Sequence, residues 1–169
     1  MLRELLRPDW VLGSTVVELP VAQLLERGIR ALVLDVDRTL LPRRQSHLPD
    51  LAELWLVQAR AQLPIHLLSN NPSRRRIGAV ADHMQLPFTT SAGKPRRSAL
   101  RRVVNDLGLP MNQVALAGDR LFTDVLAGNR LGLYTVLVKP IDAQGQPCQR
   151  DRLQNLELRL ARLAGTRLS

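Results

Sequence analysis

The sequence predicts an α/β domain on a doubly wound, Rossmann-like parallel sheet of five strands. Short apolar runs alternate with segments of helical period over most of the chain, the pattern of parallel strands joined by crossover helices. Several of those runs end on polar, chemistry-bearing residues, and in such a sheet every strand's C-terminal end lies on one ligand-binding edge. A length of 169 residues and a hydrophobic content of 45% suit one domain with a sizeable core and exclude wholesale disorder.

The strands are expected at Ala31–Asp35, Ile65–Ser69, Pro87–Thr90, Val114–Gly118 and Leu133–Val138. Between them, Pro49 and Asp50 open a helix with Leu51, Leu54, Trp55 and Ala59 on one face. Asn71 and Pro72 have N-cap and N1 character, and Ile77, Val80, Ala81 and Met84 follow at i, i+3, i+4 and i+7. Leu100, Val103, Val104 and Leu107 repeat that spacing and stop at Gly108, a natural C-terminal glycine. A fourth helix is expected from about Leu121 to Leu131, ending at Gly132. Residues 1–150 read as the α/β unit. Residues 151–169 read as a C-terminal amphipathic helix, with Leu153, Leu156, Leu160 and Leu163 in a stripe among arginines. Such a stripe docks on its own domain, lies on a membrane surface, or binds a partner.

Composition narrows the setting. The single cysteine, Cys148, forms no intramolecular disulfide, which suits a reducing compartment. No run of about 18 apolar residues is present for a membrane span, and the charged N-terminus does not resemble a signal peptide. The expected location is cytoplasmic, peripheral on the inner face of the membrane if the chain binds lipid. Basic residues number 24 against 15 acidic, a formal charge of +9, and only Lys94 and Lys139 are lysines. The excess of arginine reflects either codon bias or attraction to a polyanion.

The sheet rule gathers residues far apart in sequence. Asp35 and Asp37 end the first strand, and Ser69 and Asn70 the second. Lys94 opens a helix, Asp119 ends the fourth strand, and Asp124 lies a helical turn beyond it. Carboxylates converging on one rim repel, each close pair by about 4 kcal/mol at 4 Å and an effective dielectric near 20. A hard divalent cation relieves that, and Mg²⁺ suits a site with few protein ligands. Lys94 adds a fixed positive charge and Ser69 a hydroxyl for an oxyanion. Together these form a kit for phosphoryl transfer. In a chain that uses arginine almost everywhere, a lysine at this point suggests that a compact ammonium is required.

The order DxDxT (Asp35, Asp37, Thr39), Ser69, Lys94 and GDxxxxD (Gly118, Asp119, Asp124) resembles the haloacid dehalogenase (HAD) superfamily of phosphatases. "LLSNN", "GKP" and "GDRLFTDVLAGNRLG" resemble its YqeG subfamily more narrowly, which is similar to mitochondrial phosphatidylglycerophosphate phosphatases. The resemblance covers roughly residues 8 to 140. It implies Asp35 as nucleophile, forming an aspartyl-phosphate. Asp37 is implied as general acid and base, its backbone carbonyl also a metal ligand. Ser69 and Lys94 would hold phosphate oxygens, and Asp119 would bind Mg²⁺. Asp124 would support the metal shell or the lysine, and Thr39 would orient the loop. Asn70, Arg38 and Arg74 join Thr39 as candidate substrate-binding residues. Arg38 departs from the subfamily pattern, which more often has a small or amide residue there. It meets substrate phosphate or points to solvent.

Only 31 residues separate Asp37 from Ser69, and 24 separate Ser69 from Lys94, so neither gap has room for the cap domain common in the superfamily. An open site suits a bulky substrate: a lipid headgroup at a bilayer, a protein or a nucleic-acid end. Arg74–Arg76, Arg96 and Arg97, with Arg38, Arg43, Arg44 and Arg120, are expected to form a basic collar that docks on an anionic surface, each adding roughly 1 kcal/mol near acidic lipid. Reversing Arg74–Arg76 to glutamate should weaken vesicle binding, and unchanged binding defeats the collar. The favoured reading is a Mg²⁺-dependent phosphomonoester phosphatase acting on phosphatidylglycerophosphate. Its rivals are a phosphatase of a soluble metabolite or phosphoprotein, and a basic RNA-binding protein on a non-catalytic fold. Aromatic content of 3% counts against nucleic acid as partner, since single-strand binders lean on stacking.

Overall fold

The computed structural model describes residues 1–168, so Ser169 of the expected tail lies outside the described residues. Six parallel strands form one sheet among the described residues: β1 (Trp10–Val11), β2 (Ala31–Leu34), β3 (Ile65–Leu68), β4 (Phe88–Thr89), β5 (Val114–Gly118) and β6 (Tyr134–Leu137). Their order is β1-β6-β5-β2-β3-β4. The five expected strands are all present, each within one or two residues of its expected bounds. The sixth, β1, pairs only Trp10 with Val136 and Val11 with Leu137. Two residues carry no readable alternation, which is why the sequence does not announce it.

The central strands are buried on both faces. Leu32 and Leu34 of β2 point into one core with Trp55, Leu56, Ile77 and Val80. Ala31 and Val33 point into the other with Leu100, Val103 and Val104. Period-two alternation inside an unbroken apolar run is what a sheet covered by helices on both sides requires. The helices are α1 (Leu2–Leu5), α2 (Val21–Glu26), α3 (Asp50–Arg60), α4 (Arg74–Met84), α5 (Ser98–Leu107), α6 (Leu126–Leu131) and α7 (Arg152–Leu163). In α3 the buried face is Ala52, Trp55, Leu56 and Ala59, while Leu51 and Leu54 face solvent. The expected face is thus rotated, anchored by the Trp55 indole N–H donating to the Leu19 carbonyl at 3.0 Å.

Helix α4 begins later than expected. Ser73 is its N-cap, its hydroxyl accepting from the Arg76 amide. Asn71 instead accepts from the Ser73 amide, forming the turn before the cap. Arg96 and Arg97 of the expected collar lie just before the first residue of α5. The expected fourth helix is divided: one turn of π-helix, Leu121–Val125, leads into α6. No helix among the described residues is long and apolar enough to cross a membrane.

In α7 the buried residues are Gln154, Glu157 and Ala161. The leucine stripe faces outward, with Leu156 52% and Leu163 85% exposed. The stripe therefore does not dock on its own domain. The helix is held by its other residues: Ala161 and Leu158 pack with Leu121, Val125 and Leu137, and Gln154 and Glu157 hydrogen-bond to the loop after β5.

Candidate active site

Topology places the site. The chain runs from β2 outward to β3 and β4, then returns to set β5 on β2's other side. That reversal opens a crevice beyond the C-terminal ends of β2 and β5. The register pairs Leu34 with Ala117, and the Asp35 amide donates to the Ala117 carbonyl at 3.0 Å. Asp35 and Asp119 thus leave neighbouring strands side by side. The crevice is a pocket lined by Asp35, Asp37, Arg38, Ser69, Asn70, Asn71, Lys94, Asp119, Arg120 and Thr123.

At its floor Lys94 bridges two carboxylates. Its Nζ donates to Asp35 Oδ1 at 2.8 Å, to Asp124 Oδ1 at 2.6 Å and to the Leu68 carbonyl at 3.0 Å. Asp35 Oδ2 accepts from the Thr39 hydroxyl at 3.1 Å, so Thr39 is buried beneath the Asp35 carboxylate rather than open to a ligand. Asp124 Oδ2 takes the Arg120 amide at 3.2 Å. The approach of Asp124 to β5 is so close that a Cβ on Gly118 would overlap its carboxyl group. One carboxylate oxygen each from Asp35, Asp119 and Asp124 lies within 4.8 Å of the others.

Three buried carboxylates share one buried ammonium, and the Arg38 and Arg120 guanidiniums at the rim only partly offset the excess negative charge at Asp119. Burial, with the Asp124 charge added, pushes the Asp35 carboxyl up to about 6, although Lys94 pulls the other way. Burial, with Asp35 and Asp124 nearby, also raises Asp119 well above the usual carboxylate range. Burial alone would lower Lys94, but Asp124 and Asp35 outweigh it and hold the ammonium charged. Asp119 Oδ2 is buried with no hydrogen-bond partner among the described residues, the Arg38 Nε standing off at 3.8 Å. An orphaned carboxylate oxygen beside two more acids fits a hard, oxygen-seeking divalent cation.

The rim differs. The Asp37 side chain is 35% exposed and pairs with the Arg76 guanidinium, while the Ser69 hydroxyl donates to it at 3.3 Å. Asn70 and Lys94 clasp each other's loops: the Asn70 amide donates to the Lys94 carbonyl at 2.9 Å and accepts from the Lys94 backbone at 2.8 Å. Arg38 lines the pocket in a left-handed backbone conformation, φ 68°. Glycine and asparagine enter that region most readily, the small and amide residues expected there. An ion pair between Arg38 and Asp151, the N-cap of α7, offsets the cost. Arg74 is not in the pocket, and its guanidinium stacks over the Phe88 ring at 5.1 Å.

The collar is therefore partly internal. Arg76 is held by Asp37, Arg38 by Asp151, and Arg120 by Glu157 at 2.6 Å. Arg97 donates to the Arg130 carbonyl. Two of the residues involved, Gln154 and Glu157, have no place in the expected site, and Arg76, expected only as a collar residue, pairs with Asp37. Glu157 accepts from Arg120 and from the Leu121 amide at 3.0 Å, and Gln154 donates to the carbonyls of Asp119 and Val138. These two side chains clamp the loop that carries Asp119. Their sequence sign was slight: polar residues bordering the leucine stripe of α7, Glu157 falling four residues after Leu153 and three before Leu160.

A family model described as HAD-hydrolase-like matches residues 91–146, which include Lys94, Asp119 and Asp124. "Probable phosphatase YqeG" of Bacillus subtilis (strain 168) is 31% identical over 142 residues, 83% of this chain and 81% of that one. The chain belongs to the YqeG branch of the HAD phosphatases. Within that family it is a hydrolase of phosphoric monoesters, and a phosphorylated substrate fits the pocket's chemistry. A second relative, "Phosphatidylglycerophosphate phosphatase 1, chloroplastic" of Chlamydomonas reinhardtii, is 30% identical over 131 residues. The match spans 71% of this chain but only 48% of that longer protein. Among solved structures, a protein from Listeria monocytogenes serotype 4b shares the fold at a TM-score of 0.54 and 17% identity, over 74% of this chain and 85% of that one. As in the expected capless HAD arrangement, α3 with β3 and α4 with β4 fill the two gaps between the motifs.

Proposed function

We propose that this phosphatase is Mg²⁺-dependent, works through an aspartyl-phosphate on Asp35, and acts on phosphatidylglycerophosphate to give phosphatidylglycerol. The observation that carries the chemistry is the Lys94 bridge between Asp35 and Asp124, set beside the orphaned Asp119 oxygen. The lipid is supported by the Chlamydomonas relative's name and by a pocket with no cap over it.

Thr39 and Lys94 fix the Asp35 carboxylate by one oxygen each, so attack on phosphorus needs little reorientation. Asp35 forms the new bond to phosphorus as the ester oxygen leaves, and Asp37 gives that oxygen its proton. A water then attacks the aspartyl-phosphate while Asp37 takes its proton, releasing phosphate and restoring Asp35. Ser69 and Lys94 hold the transferring phosphate oxygens. Asp35, the Asp37 backbone carbonyl and Asp119, with Asp124 behind them, would hold Mg²⁺, which supplies positive charge against the phosphate oxygens.

The test is phosphate release from phosphatidylglycerophosphate in acidic vesicles, with Asp35→Asn protein and EDTA as controls. Release that both controls abolish is expected. Turnover of an aryl phosphate without release from the lipid keeps the phosphatase and overturns the lipid. Silence on both from folded, Mg²⁺-loaded protein overturns the catalytic reading.

A further inference from the structure

We propose that the outward face of α7 is a docking surface for an anionic lipid bilayer. Leu153, Leu156, Leu160 and Leu163 form one row along this helix and all face water. Their exposure is not a by-product of loose packing, because the helix is fastened by its other side. There Gln154 and Glu157 hydrogen-bond to the Asp119–Leu121 loop, and Ala161 is fully buried. A contiguous row of solvent-facing leucines on a well-anchored helix marks an interaction surface.

Charge identifies the occupant. The two acids of this segment turn inward, Asp151 to Arg38 and Glu157 to Arg120. Arg150, Arg152, Arg159 and Arg162 stay exposed beside the leucines. From residue 150 to 167 the outward surface is apolar and cationic, with no exposed acidic side chain among the described residues. A helix of that character lies in the interface of an acidic bilayer, leucines among the acyl chains and arginines at the headgroups. A second copy of this chain fits less well, since pairing the leucine rows would bring the flanking arginines together. The contrast with α3 is instructive: its exposed Leu51, Leu54 and Val57 sit beside Asp50 and Glu53, so acidic lipid would repel it.

Placement adds a purpose. Asp151 caps α7 and pairs with Arg38, which lines the pocket, so the leucine row begins at the pocket rim. Docking by this face sets the pocket mouth at headgroup level. The docking stands on the helix alone, whereas its use in phosphatidylglycerophosphate turnover rests on the reading above.

The experiment is vesicle co-sedimentation of the full chain, using phosphatidylcholine alone and phosphatidylcholine with phosphatidylglycerol, without any phosphorylated lipid. Leu156→Gln/Leu160→Gln is the variant, and turnover of a soluble aryl phosphate and the thermal midpoint verify its integrity. Wild type should bind the anionic vesicles about tenfold or more tightly than the variant and than it binds neutral ones, while aryl phosphate turnover is unchanged. Equal binding by wild type and variant overturns the proposal. So does a wild-type dimer in sedimentation velocity that the variant dissolves, which would give the face to a second copy. Because the binding assay needs no turnover, its failure is distinct from failure of the lipid-substrate reading.

Discussion

The two halves of the pocket are built on opposite principles. At the floor, Asp35, Asp119, Asp124 and Lys94 are all buried, and every carboxylate stands within a few ångströms of another. At the rim, Asp37 and Arg38 are partly open, and each pairs with an arginine or aspartate contributed by a helix. The floor concentrates like charge where water cannot screen it, a cost that a single lysine does not cancel. The rim disperses charge into one-to-one pairs that solvent can share. Floor geometry is therefore held by packing and by the Lys94 bridge between Asp35 and Asp124. Rim geometry is held by ion pairs that a substrate phosphate can compete for.

The largest expected effect follows from the floor. Asp35→Asn should lower aryl phosphate turnover by at least about three orders of magnitude, read by steady-state kinetics. The same change removes one of the crowded charges, so the thermal midpoint at pH 7.5 without metal should hold or rise. A fall in stability equal to that of an ordinary core polar substitution would break the contrast.

Next is Lys94→Met, which leaves Asp35 and Asp124 unpaired in a dry site. Loss of one partner from a buried ion pair costs about 3–5 kcal/mol, measurable by denaturant unfolding. The fall should shrink when Mg²⁺ is added, because a divalent cation takes over part of the same role.

A third prediction concerns pH. The Asp35 carboxyl is raised from 3.8 to about 6 by folding, so the metal-free native state holds that proton more tightly than the unfolded chain does. The resulting penalty is absent below the unfolded value, grows as pH rises through this window, and is complete above it. The metal-free protein should therefore lose stability from this group between pH 4 and pH 6, as thermal melts would show. Mg²⁺ should raise the midpoint more at pH 7.5 than at pH 5, where protons compete for the same oxygens. An equal shift at both values would place the cation elsewhere.

The smallest effect belongs to the rim. Arg76→Gln should change stability by less than about 1 kcal/mol, as for other partly exposed ion pairs. Its signature is kinetic: about a tenfold loss of turnover, because Asp37 loses the guanidinium that positions its carboxylate. A large stability loss would mean that rim and floor are one cooperative unit.

Much of this was legible in the sequence because its signals are local. The ends of β2 and β5 are marked by aspartates at the close of apolar runs, and topology alone carries them to a common edge. Lys94 stood out through rarity in an arginine-rich chain. What was not legible depends on rotation about helix axes. The period of α7 shows that its leucines share a face, but only the hydrogen bonds of Gln154 and Glu157 show that this face turns outward. The α3 face was misjudged for the same reason, Leu51 and Leu54 giving way to Ala52 and Leu56. The arginines of the expected collar could not be sorted into paired and free, because Asp37, Asp151 and Glu157 reach them across 37 to 113 residues of chain. The short β1 and the π-turn after Arg120 carry no periodicity to read.

Gly118 carries a further consequence. Its missing side chain is the space into which Asp124 fits, and Asp124 in turn orients Lys94. Changing either position alone meets a barrier: a methyl group at 118 evicts the carboxylate, and a shorter side chain at 124 leaves a void and a lysine with one partner fewer. A change at one position therefore calls for a compensating change at the other, and a designer wishing to retune the lysine must rewrite both at once.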